Sequence, residues 1–110
     1  NNLAALYVKN GSEAGQLERA MTLYEQAATQ GLVQAQFSLG DMYQQGIAVP
    51  KDNSMAYIWY KISALGGHQS CYKAIAKLQL SMTEAEINNA ELLATSCVEN
   101  AYEKCKRPRD

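Results

Sequence analysis

The sequence predicts an all-α fold: a right-handed α-solenoid of about three stacked antiparallel helix pairs, closed by a C-terminal capping helix. Three observations predict it. The chain matches itself at a shift of 36 positions, its apolar residues recur at helical rather than strand spacing, and glycines stand where each helix has to end. A fixed period of about 20 to 50 residues marks supersecondary units that stack on one another.

The shift places Leu3 on Leu39, Tyr7 on Tyr43, Ala20 on Ala56, Tyr24 on Tyr60, Ala28 on Ala64 and Gly31 on Gly67. A second shift sends Ala35 to Cys71, Leu39 to Ile75 and Gly40 to Ala76, keeping size where identity fails. These matches divide a single helical-repeat domain, 1–110, into units of about 1–30, 31–66 and 67–105, with a basic tail at 106–110.

The middle unit shows the grammar best. Ala35, Leu39, Met42 and Tyr43 recur at helical spacing between Gly31 and Gly46, which predicts its first helix. Pro50 cannot continue that helix and biases Val49 to an extended conformation. Asp52 is placed to cap a second helix through Ala56, Trp59, Tyr60, Ser63 and Ala64, which Gly66 and Gly67 end. The first unit replaces this loop with "NGSEAGQ". The third has Gln79 in place of tyrosine, followed by Thr83 and Glu86 at capping-box spacing. The helix after them, from Glu84 to about Val98, carries Ile87, Ala90, Leu93, Ala94 and Cys97 on one face. Terminal units of a solenoid must close the core against water, so this helix reads as the cap.

Small and large residues alternate for a packing reason. Ala20, Ala28, Ala35, Gly40, Ala56, Ser63 and Ala64 let helix axes approach, and Tyr24, Tyr43, Trp59 and Tyr60 fill the gaps beside them.

Composition narrows the function. Hydrophobic residues at 47% and charged residues at 19% fit a globular chain. A formal net charge of −1 gives nothing global to attract nucleic acid or an anionic membrane. No apolar run approaches the roughly 18 to 20 residues of a membrane span. The chain begins "NNLAALYVKN", without methionine or signal-peptide pattern, as expected of a processed or excised piece of a longer chain.

The motifs that carry chemistry are few. His68 and Cys71 stand three positions apart on one helical side, but the repeat register points Cys71 into the core, against a Cys–His pair. Three scattered cysteines and one histidine lack a short zinc-ligand pair. Glu84, Glu86 and Glu91 suit a helix N-terminus and solvent rather than an acid–base pair. No catalytic set, cofactor or metal is expected. The tail "KCKRPRD" reads as solvated surface. Cys97 and Cys105 lie about 12 Å apart on a straight helix and can bond only if the helix breaks between them, for which Asn100 is a terminator.

The frame A-x3-L-G-x2-Y-x2-G-x-x-V-x2-D-x3-A-x2-W-Y-x3-A-x2-G is filled by Ala35, Leu39, Gly40, Tyr43, Gly46, Val49, Asp52, Ala56, Trp59, Tyr60, Ala64 and Gly67. It resembles the Sel-one-like repeat (SLR) family, of bacterial type, a relative of the tetratricopeptide repeat. The C-terminal stretch is similar to the endings of exported Gram-negative members. That resemblance implies a Cys97–Cys105 disulfide, with Cys71–Cys97 as the next choice and reduced thiols still open. It implies a periplasmic or secreted location, with the cytoplasm as the alternative.

The resemblance also implies that first helices line a concave surface. Gln34, Ser38, Asp41 and Gln45 form a polar stripe there, with Lys77 the counterpart of Asp41 one unit on, and Phe37 with its counterpart Lys73 beside it. The expected function is a non-enzymatic module binding a protein or peptide partner, in the manner of an envelope adaptor or a toxin-neutralising immunity protein. A cysteine-dependent hydrolase or penicillin-binding-type enzyme is the rival class, and a structural fragment of a longer repeat array is the third.

Overall fold

The computed structural model describes residues 14–99, with side chains from residue 17 onward. Among them it is all-helical: α1 Ala14–Thr29, α2 Val33–Gln45, α3 Asn53–Leu65, α4 Cys71–Gln79 and α5 Glu84–Glu99. The expected first helix of the first unit, and the tail at 106–110, lie outside the described residues.

The repeat is written in backbone hydrogen bonds. At the end of α1, Leu32 N donates to Ala27 O and Gly31 N to Ala28 O. At the end of α3, 36 positions on, His68 N donates to Ser63 O and Gly67 N to Ala64 O. Each pair is a Schellman turn, whose penultimate residue must enter the left-handed region. Gly31 at φ 92° and Gly67 at φ 103° meet that demand without a Cβ penalty. Asp52 caps α3 as expected, its carboxylate accepting from Met55 N at 3.0 Å. Thr83 and Glu86 form the reciprocal capping box of α5, at 3.1 and 2.8 Å.

Helix α3 is the centre of the molecule. It packs against α2, α4 and α5, while α1 packs against α2. A helix surrounded on three sides needs apolar residues all round. Residues Ala56, Tyr57, Ile58, Trp59, Tyr60, Ile62, Ser63 and Ala64 are accordingly all buried. The small residues act where expected: Ala20, Ala28, Ala35 and Ala56 are fully enclosed. Two polar bonds join neighbouring helices within this core. The Gln36 amide donates to Ala28 O at 3.0 Å, a second donor beside Gly31 N on that carbonyl at the end of α1. The Ser63 hydroxyl donates to Val33 O at 2.6 Å, joining α3 to the start of α2.

The third pair is looser than the second. Helix α5 lays Ala90, Ala94 and Cys97 against the core and leans chiefly on α3 rather than on α4. Leu93, expected on the same face, lies roughly 60° off that stripe on a helical wheel and is 39% exposed. Tyr57 fastens the arrangement: its hydroxyl donates to Glu91 Oε2 at 2.6 Å and accepts from Gln79 Nε2 at 3.2 Å. One side chain of α3 thereby reaches both α4 and α5.

Candidate functional site

Successive first helices, α2 and α4, leave a cavity of about 270 Å³ between them. Helix α2 contributes Phe37, Asp41 and Gln44 at i, i+4 and i+7; α4 contributes Lys73, Ala74 and Lys77, with Ser70 just before it; Tyr60 of α3 also lines it. The repeat register explains Tyr60's place. A tyrosine on a second helix reaches the next first helix: Tyr24 of α1 meets Ser38 of α2, and Tyr60 stands beside Ala74, the counterpart of Ser38.

Asp41 is the pivot of the site. Its carboxylate accepts from the Tyr60 hydroxyl at 2.5 Å. Burial raises its pKa above the usual carboxylate range, and the Tyr60 hydroxyl partly offsets that rise. Burial also raises Tyr60, and the hydrogen bond and negative charge of Asp41 push it further, so the phenol stays protonated at any ordinary pH. Phe37 is a fixed wall rather than a free anchor. Its ring stacks on His68, with centroids 4.9 Å apart and planes 13° apart, and tilts against Tyr60 at 5.4 Å.

Of the residues singled out from the sequence, Phe37, Asp41, Lys73 and Lys77 come together here. Gln34, Ser38 and Gln45 do not line this cavity. Ser38 donates to Gln34 O at 3.0 Å and turns its hydroxyl toward Tyr24 on α1. Gln34 and Gln45 are exposed, eleven positions and about 16 Å apart along α2. The face of α2 turned to α4 is thus rotated roughly 60° from the polar stripe, and Phe37 rather than Ser38 lies on it. Gln44 and Tyr60 were missed. Gln44 was legible as the i+7 partner of Phe37, whereas Tyr60 had been counted only as core.

His68 and Cys71 do touch, with Sγ 3.7 Å from Nδ1. The sequence register, which sent Cys71 inward, did not foresee that His68 would follow it. The contact does not activate the thiol: Cys71 is fully enclosed and free. Burial raises its pKa, and Ser63 only partly opposes this. The alternative Cys71–Cys97 bridge is therefore not formed. Cys97 is buried, and the pairing with Cys105 lies outside the described residues. Among the described residues no group of three or more His, Cys, Asp or Glu is placed to hold a metal, and no helix is long and apolar enough to cross a membrane.

Helix pairs that recur every 36 residues with the same Schellman turn, and that leave a groove between successive first helices, define an α-helical repeat protein of the tetratricopeptide-like kind. The Sel1 repeat matches at residues 1–32 and 33–68, more than half of the chain, which belongs to the Sel1 repeat family. Sel1 repeats generally mediate contacts between proteins. An uncharacterized Sel1-like repeat-containing protein of Schizosaccharomyces pombe is 46% identical over 57 residues, covering 52% of this chain and 9% of that protein. The chitin synthase regulatory factor 3 of the same yeast is 37% identical over 73 residues, covering 66% of this chain and 7% of that protein. The chain thus spans less than a tenth of either relative's length. Both relatives are fungal, and the expectation of a bacterial type finds no support in them.

Proposed function

We propose that this chain is a non-enzymatic module that binds a protein or peptide partner in the groove between α2 and α4, through Phe37, Asp41, Lys73 and Lys77. The observation that carries the reading is the lining of that groove: an aromatic wall, a half-buried carboxyl and two exposed lysines converge on one concavity of about 270 Å³. Binding sites combine apolar surface with a few placed polar groups in this way. A regulatory factor among the relatives fits a role in controlling other proteins rather than in chemistry. The test is capture of native partners by the chain and by a Lys73→Glu, Lys77→Glu variant. Both substitutions sit on exposed positions. Loss of capture with unchanged helicity supports the groove; undiminished capture removes it.

The cysteine-dependent enzyme is the weaker reading, because the contact between Cys71 and His68 holds a buried, pKa-raised thiol. A disulfide between Cys97 and Cys105 belongs to the same proposal. It is supported by Cys71 being free, which removes the competing Cys71–Cys97 pairing. Intact mass with and without reductant tests it. A periplasmic or secreted envelope adaptor or immunity protein rests on that bridge and on the resemblance of the C-terminal stretch to exported family members, and a chain recovered fully reduced from its source would argue for the cytoplasm instead.

A further inference from the structure

We propose that the groove between α2 and α4 takes an acidic peptide segment, with a carboxylate on Lys73 and Lys77 and a neighbouring apolar side chain against Phe37, Tyr60 and Ala74. This rests on the interaction reading above and adds the chemistry of the partner. Three observations carry it. Lys73 and Lys77 are four positions apart on α4, so both side chains line the groove from one helical face. The carboxylate opposite them is already engaged: Asp41 accepts from the Tyr60 hydroxyl. Two ammonium groups against one carboxylate leave the groove with a charge of about +1 near neutral pH, in a chain whose net charge is −1.

The apolar part follows from rigidity and size. Phe37 is held between His68 and Tyr60, so a side chain laid against it orders nothing that is not already ordered. A volume of about 270 Å³ is below the usual range for a whole small-molecule ligand and suits one side chain with its peptide unit. Gln44, at the same edge, offers both a donor and an acceptor to that peptide unit. A carboxylate-bearing residue next to an aliphatic one, in an extended segment, satisfies all of these groups together.

The experiment is a titration of the isotope-labelled chain, followed by backbone amide shifts, with three acetylated and amidated peptides of the same length. One carries two glutamates around a leucine, the second glutamines, the third lysines. A single-stranded RNA oligomer is the fourth probe. The glutamate peptide is expected to shift amides of α2 and α4 around Asp41 and Lys77. It should bind about fivefold or more tightly than the glutamine peptide and weaken as salt is raised. The Lys73→Glu, Lys77→Glu variant should lose the glutamate peptide and gain the lysine peptide. Equal binding of the three peptides, shifts confined to other helices, or a preference for RNA would overturn the assignment. Were native partner capture to depend on the two lysines while acidic peptides were ignored, only this inference would fall. Capture that ignores the lysines would remove the interaction reading with it.

Discussion

Gly40 of α2 lies against the ring of Tyr60 on α3 so closely that a Cβ built on Gly40 would stand 2.5 Å from Tyr60 Cδ1 and 2.6 Å from Cε1. The missing side chain is what lets the ring approach α2 this closely and its hydroxyl reach Asp41 one residue further along. Gly40→Ala must displace the ring. We expect a cost of about 1 to 3 kcal/mol, read as a lowered denaturation midpoint at unchanged m-value. The same variant should release Asp41 from its hydroxyl partner, which tyrosine absorbance or the Asp41 titration would report. A variant as stable as the parent would show that the ring has room to move.

Asp41 predicts a pH dependence whose sign can be worked out. Its folded pKa is raised, so at pH values between the unfolded and the folded pKa the native state keeps a proton that the unfolded chain has released. The stability this gives is fully present below the ordinary carboxylate pKa and is lost as pH rises through the raised one. Asp41→Asn stays neutral throughout. The difference in unfolding free energy between parent and variant should therefore shift against the parent from about pH 4 toward neutrality. A difference that does not vary with pH refutes this.

Gln36 is buried, and its amide satisfies Ala28 O at the end of α1. Gln36→Leu keeps most of the volume but removes one of the two donors on that carbonyl, leaving it Gly31 N alone. A loss of about 0.5 to 1.5 kcal/mol is expected, and amide exchange at the last turn of α1 should quicken. A neutral substitution would mean that the Gly31 N–H alone satisfies the carbonyl.

At the other end, Thr83→Ala removes the hydroxyl that accepts from Glu86 N. Loss of an N-cap costs about 1 kcal/mol, and here the fraying should be confined to the first turn of α5. Restoration by Thr83→Ser, against no restoration by Thr83→Val, would separate capping from shape.

Much of the fold was legible because its determinants are local. Gly31 and Gly67 announce their turns, Asp52 and Thr83 announce their caps, and the spacing of Ala35, Leu39 and Tyr43 fixes an inward stripe. The groove was only half legible. Which flank of α2 turns toward α4 depends on how the helices cross, and the polar stripe of Gln34, Ser38 and Gln45 carries no record of that. Tyr60 escaped notice because it does two things at once: its ring is buried while its hydroxyl serves the groove. The contact of Phe37 with His68 joins residues from adjacent units, beyond the reach of a reading made one unit at a time.

The position of α3 has a thermodynamic consequence. Arrays of helical repeats commonly lose their units one by one, since each leans only on its neighbours. Among the described residues, three of the four other helices lean on the same one, and α1 takes its main support from α2. Partial melting has no stable stopping point once α3 loosens, so heat should empty the whole fold in a single step, with calorimetric and van't Hoff enthalpies in agreement.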